Sequence, residues 1–185
     1  MIDLRSDTVT QPTEDMRKVM LEAKVGDDVL GDDPTVIELQ NKAARILGKE
    51  DALYVPSATM SNIIATRTHT SPGDEIVLEQ GSHMYQMEGG AFAALSGCSV
   101  ALVITENGLM TPEQVSNSIR KAKGSMSHYP NGSLVCVENT AQGGGGTIYS
   151  QETLDEICRV AMEIRNIGLM VQDVASKYLD LIPHT

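Results

Sequence analysis

The chain predicts an α/β protein with a mostly parallel sheet flanked by helices, and three observations carry that expectation. Short apolar runs rich in Val, Leu and Ile alternate with longer stretches whose apolar residues recur at helical spacing. Clusters of Gly, Pro, Asn and Asp separate the two kinds of segment, and no internal repeat interrupts the alternation.

After an irregular start, Thr13 can cap a helix over 13–24. Asp33 and Pro34 open a stronger one, in which Val36, Leu39, Ala43, Ile46 and Leu47 recur at helical spacing before Gly48 ends it. Residues 52–55 read as a short buried strand, 59–67 as a helix, and Ser71-Pro72-Gly73-Asp74 as a turn into a strand over 75–80. A helix over 85–95 follows, weakened by Gly89 and Gly90, then an apolar strand over 99–104 and the turn Glu106-Asn107-Gly108. Thr111, Pro112 and Gln114 combine a cap, a first-turn proline and a reciprocal glutamine, so a helix is expected to about residue 123. Residues 134–137 form another buried strand, Ser150 caps a helix through residue 165, and Gly168 closes it before a last strand over 169–172.

Composition bounds the function. With 185 residues and 41% hydrophobic content the chain can bury a core, and it fits one domain over 1–185 better than two. No apolar run approaches the ~20 residues that span a bilayer. The start Met1-Ile2-Asp3-Leu4 is neither a secretory signal nor an Arg-rich transit peptide, so the expected location is cytoplasmic. A net charge of −11 repels phosphate backbones and anionic lipid, which argues against nucleic acid or membrane as main partner. Cys98, Cys136 and Cys158 lie far apart without CxxC spacing and read as buried small hydrophobes; no metal site is expected.

Three segments are candidates for chemistry. His83 follows the strand over 75–80, at the kind of strand end where open α/β sheets bind ligands, and an imidazole there can lie flat on a planar ring. A histidine in that place can equally be a cap or a hydrogen-bonded surface residue. Between a strand and a helix, Pro56-Ser57-Ala58-Thr59-Met60-Ser61-Asn62 offers backbone N–H groups and hydroxyls to a phosphate; the competing reading is that Ser57 or Thr59 only caps the helix. The run Gly143 to Gly146 is a loop where backbone can approach a ligand or another subunit closely, and it lacks the GxGxxG spacing of a dinucleotide site.

Taken together, several segments resemble the low-specificity threonine aldolases, pyridoxal-phosphate lyases with the aminotransferase-like fold. They are the stretch from Met1 through Thr10, Val25-Gly26-Asp27-Asp28-Val29, Gly31-Asp32-Asp33-Pro34-Thr35-Val36, His83-Met84-Tyr85, Glu88-Gly89-Gly90 and Glu138-Asn139-Thr140. The likeness is collinear over residues 1–168, so the fold implied is an incomplete fold-type I large domain, with a divergent tail over 174–185. The resemblance implies that Ser57, Ala58 and Thr59 form the cofactor phosphate loop, that His83 stacks on the pyridine ring, and that Glu88 lies close to that ring. It further places Ser6 at the substrate carboxylate and His128 near the substrate hydroxyl, and implies a homo-oligomer acting on threonine or allo-threonine to release glycine and acetaldehyde.

The chain departs from the family at identifiable places. Ala58 stands where glycine is usual, Leu30 replaces a tyrosine, Ala141 a histidine and Asn131 an arginine. The family's Asp-Gly-Ala-Arg becomes Asp173-Val174-Ala175-Ser176, which leaves Asp173 as the candidate partner of the ring nitrogen and removes the arginine for the substrate carboxylate. None of Lys18, Lys24, Lys42, Lys49, Lys121, Lys123 and Lys177 stands at the family's cofactor lysine. Two expectations follow: a threonine-aldolase-like lyase impaired or inactive as this chain, or a catalytically dead product that associates with a full-length relative. A sheet that ends there also leaves an unpaired edge, which predicts poor solubility or self-association.

Overall fold

The computed structural model describes residue 3 and residues 7–120, 128–165 and 168–173. Contacts divide the chain into two compact units, Met1–Tyr54 and Val55–Thr185.

In the first unit, helix α1 (Glu14–Glu22) is capped by Thr13, whose hydroxyl accepts the Met16 N–H at 3.2 Å. Helix α2 (Pro34–Leu47) has the boundaries its sequence encodes: Asp33 Oδ1 accepts the Thr35 and Val36 N–H groups at 2.9 Å, and Gly48 leaves the helix at φ 63°. Aspartates organise the loop between the two helices. Asp33 Oδ2 accepts the Gly26 N–H at 2.9 Å, Asp32 Oδ1 the Asp27 N–H at 2.7 Å, and Asp27 Oδ1 the Val29 N–H at 2.8 Å. A Cβ at Gly26 would lie 2.6 Å from the Asp32 carbonyl oxygen, so this close approach requires glycine. The backbone N–H groups of Val36 and then Gly26 hold the Asp33 carboxyl below the usual aspartate range.

The strand expected over 52–55 is not formed. The Tyr54 N–H bonds the Gln40 side chain of α2 at 2.9 Å, and Leu53 and Tyr54 are exposed. A short apolar run becomes a strand only where a neighbour supplies a ladder, and this one has none among the described residues.

In the second unit, helix α3 (Ala58–His69) leads through the turn at residues 71–74 into strand β1 (Glu75–Glu79). Two short helices, α4 (His83–Gln86) and α5 (Ala91–Ala94), connect it to β2 (Ser99–Val103). Helix α6 (Pro112–Ser118) then precedes β3 (Gly132–Asn139), and α7 (Gln151–Arg165) precedes β4 (Gly168–Asp173). The described strands form one parallel sheet in the order β2-β1-β3-β4.

Side chains of β1 alternate between two cores. Val77 joins Val115 of α6 and Leu154, Ile157 and Ala161 of α7 on one face; Ile76 and Leu78 join Met84, Cys98 and Phe92 on the other. Each fully buried aliphatic side chain contributes about 1.5–3 kcal/mol, and the arrangement is a sheet between two helical layers. The three cysteines are buried and none forms a disulfide, and burial pushes the Cys136 thiol well above its ordinary range.

Two helices differ from their sequence-based extents. The segment 85–95 splits because Gly89 and Gly90 take φ of 61° and 70°, which no continuous helix tolerates. The helix after Thr111 has the full capping box yet ends at Ser118. There the chain leaves at Ile119 and Arg120 forms a two-pronged pair with Glu75, a carboxylate fully buried at the first position of β1. Residues 121–127, which include the end expected for that helix, lie outside the described residues.

Candidate active site

The strand order places a crevice. From β1 the chain crosses one face of the sheet to β2; from β3 it crosses the other face to β4. Because β1 and β3 are neighbours, their connections diverge, and the carboxyl ends of these two strands form a topological switch point.

His83 stands at that point. Its backbone N–H donates to Glu138 Oε2 at 2.7 Å, tying the loop after β1 to the penultimate residue of β3. The other Glu138 oxygen accepts the Gln142 N–H at 3.0 Å, so one buried carboxylate fastens both diverging loops. The His83 ring is held separately. Nδ1 lies 2.9 Å from Glu88 Oε1, and the same oxygen accepts Asn62 Nδ2 of α3 at 2.7 Å. The Glu88 side chain is 1% exposed and that of His83 32%, so the ring presents its free part outward from a buried anchor. Gly89 and Gly90 turn the chain back immediately after Glu88, which is why that carboxylate can face inward.

Helix α3 runs into β1 from the opposite edge, so its N-terminus lies toward the same carboxyl end. Ser57 Oγ accepts the Met60 N–H at 3.1 Å and is a helix cap. Ala58 is the first helical residue and therefore has negative φ, so its methyl costs nothing where glycine is usual. The first-turn N–H groups of Ala58 and Thr59 have no acceptor within the helix and suit an anion. One turn on, Asn62 connects this helix end to Glu88 and His83.

The first half of the glycine run, Gly143 and Gly144, meshes with other loops, while Gly145 and Gly146 face open space. A Cβ on Gly143 would lie 2.7 Å from the Gly81 carbonyl oxygen, and one on Gly144 would strike the Asn107 backbone. Glu79 adds to this packing, accepting the Gly81 N–H at 2.6 Å and the Thr105 hydroxyl at 3.0 Å. Behind it, the Tyr149 hydroxyl accepts the Met110 N–H at 2.7 Å, and burial, reinforced by Glu79 and Glu138, pushes this phenol up to about 12.

Asp173 closes β4 in register with Asn139 of β3, at the same edge as His83. His128 is elsewhere. It precedes β3, its ring lies 4.5 Å from that of Tyr129, and Arg120 reaches from buried Glu75 to cover Tyr129. That chain of contacts fixes His128 at the amino edge of the sheet, a strand's length from His83, so one chain does not bring the two histidines together. The separation follows from the strand between them, since a residue just before β3 and one just after β1 occupy opposite ends of parallel neighbours. Ser6 lies outside the described residues. Sequence alone does not mark Asn62, Glu79 or Glu138 as site residues; Asn62 ends the segment 56–62 and Glu138 opens Glu138-Asn139-Thr140, and only the fold reveals what each fastens.

The parallel α/β sheet with its loops gathered over a switch point has the fold-type I architecture, and a solved threonine aldolase of Leishmania major shares the fold at TM-score 0.70 and 21% identity, over 84% of this chain and 44% of that one. The chain belongs to the beta-eliminating lyase family, whose sequence model matches residues 3–174. It is 41% identical over 162 residues to a probable low-specificity L-threonine aldolase 2 of Arabidopsis thaliana, covering 86% of this chain and 45% of the relative. It is 38% identical over 172 residues to the low specificity L-threonine aldolase of Escherichia coli, covering 92% of this chain and 50% of the relative. The chain thus spans about half the length of the curated relatives it matches. The family and these aldolases are pyridoxal-phosphate dependent.

Proposed function

We propose that this chain carries the cofactor face of a threonine-aldolase-type lyase, which cleaves threonine or allo-threonine to glycine and acetaldehyde. The observation that carries the reading is the His83 ring, anchored through Nδ1 to buried Glu88 and partly exposed at the switch point, beside the free first-turn amides of α3.

The residues fit pyridoxal phosphate by their chemistry. The N–H groups of Ala58 and Thr59 would take the phosphate at the positive end of a 12-residue helix, with Ser57 committed to capping. His83 would lie on one face of the pyridine ring, and Asp173 would hold a proton at the ring nitrogen. Bound there, the cofactor would supply the electron sink that carbon–carbon cleavage of an amino acid needs. Ser6 is the proposed contact of the substrate carboxylate. His128, at the opposite edge, is given no contact with His83 within one chain.

A second reading, a cofactor-binding chain without lyase activity that acts through a full-length relative, is favoured by Val174-Ala175-Ser176 standing where the family has Gly-Ala-Arg. Equilibrium dialysis of pyridoxal phosphate against the purified chain tests the shared part: binding should be saturable and at least tenfold weaker in His83→Leu, and binding unaffected by that change would sink both readings. Glycine release from threonine by the chain alone separates them in favour of the lyase.

A further inference from the structure

We propose that Asn62 is a positioning residue that, through Glu88, fixes the tautomer of His83. A single buried oxygen, Glu88 Oε1, is shared by Asn62 Nδ2 at 2.7 Å and His83 Nδ1 at 2.9 Å. A carboxylate only accepts, so both neighbours donate to it, and the carboxamide meets it with its NH2 end. In neutral His83 the proton therefore resides on Nδ1 and the lone pair on Nε2, directed away from the anchor.

Asn62 is needed because burial leaves Glu88 little else. Its side chain is almost wholly removed from water, and a buried carboxylate oxygen with one donor is undersatisfied. The Asn62 bond holds this oxygen in place from α3, an element distant in sequence by 26 residues and rigidly packed on the sheet. Asn62 is buried within α3, where its backbone carbonyl accepts the Thr66 hydroxyl at 2.8 Å. The relay joins the helix whose N-terminus is the proposed phosphate site to the ring that would stack on the same cofactor. Its function is to hold a ring plane and to present Nε2 as an acceptor on the crevice side.

The consequence for the cofactor rests on the reading proposed above; the tautomer does not. Heteronuclear NMR of the whole chain labelled with 15N histidine reads it directly, with His83 assigned by its loss in His83→Gln and the sample held at alkaline pH, where imidazole is neutral. The expected spectrum shows His83 Nδ1 as the N–H nitrogen and Nε2 as the bare one. Asn62→Leu, which keeps the volume and removes the donor, should convert this to a mixture of both tautomers. Glu88→Gln, whose carbonyl can replace Oε1, should retain the Nδ1–H form, whereas Glu88→Leu should lose it. An Nε2–H ring in the unaltered chain, or an unchanged ring in folded Asn62→Leu, overturns the proposal. Should Asn62→Leu not fold, the Asn62 carboxamide protons in the unaltered chain decide: slow exchange with water supports the bond to Glu88, and free exchange refutes it. Added pyridoxal phosphate should then shift the His83 ring resonances. If the tautomer is as stated and no shift occurs, the cofactor reading fails while the relay stands.

Discussion

Glu75 and Arg120 illustrate how one residue can redirect a segment. Glu75 opens β1 with its side chain fully buried, and the guanidinium that answers it is 45% exposed. That pairing turns the chain out of α6 at a place where periodicity alone carried the helix on. Arg120→Met should lower stability by on the order of 2 kcal/mol, less than the 3–5 kcal/mol of a wholly buried pair because water screens the outer partner. Adding Glu75→Leu should recover most of the loss. Thermal unfolding of the single and double variants checks both statements, and equal destabilisation by each would contradict the account. His83 is readable as a site residue because it follows a strand end, and Glu88 only through the family resemblance. Asn62 is not, since a polar residue inside a helix carries no sign of the residue 26 positions away that it meets.

At the scale of elements, α2 is the clearest case of local encoding. Asp33, Pro34 and Gly48 are a cap, a first-turn ring and a left-handed exit, and each works within a few residues of chain. Asp33 also binds Gly26, so its carboxylate supports both the helix and the preceding loop. Its lowered pKa sets the sign of a pH effect: the stabilisation is present above the ordinary aspartate range of about 3.9 and disappears as pH falls through the lower folded value. In Asp33→Asn, which can still cap, helicity followed by circular dichroism should depend less on pH in that acidic window; an identical acid transition would count against the assignment. The elements misjudged from sequence failed for a shared reason. The run over 52–55 and the helix over 85–95 have suitable apolar residues, but a strand needs a neighbour and a helix needs backbone angles that Gly89 and Gly90 do not adopt here.

The whole molecule combines a second unit with two buried cores and a first unit in which α1 buries nothing. Val19, Leu21, Val25, Val29 and Leu30 are all exposed, an apolar surface of the kind that associates. At micromolar concentration the chain is expected to elute as more than a monomer in size-exclusion chromatography with light scattering. Replacing Leu21 and Val29 with Ser should shift it toward the monomer, and a monomer that is unchanged by dilution would contradict this. No described helix is long and apolar enough to cross a membrane.

By itself the sequence determined the α/β class, most strand and helix positions, and the family, because these depend on local periodicity, caps and collinear motifs. Tertiary structure alone decided the strand order, and with it the switch point that puts His83 beside Glu138 and sends His128 to the far edge. It also decided that Gly143 and Gly144 pack loop on loop, and that Asn62 and His83 share one oxygen of Glu88. Those facts depend on contacts between segments tens of residues apart, and no spacing along the chain encodes which carboxylate a distant donor will meet.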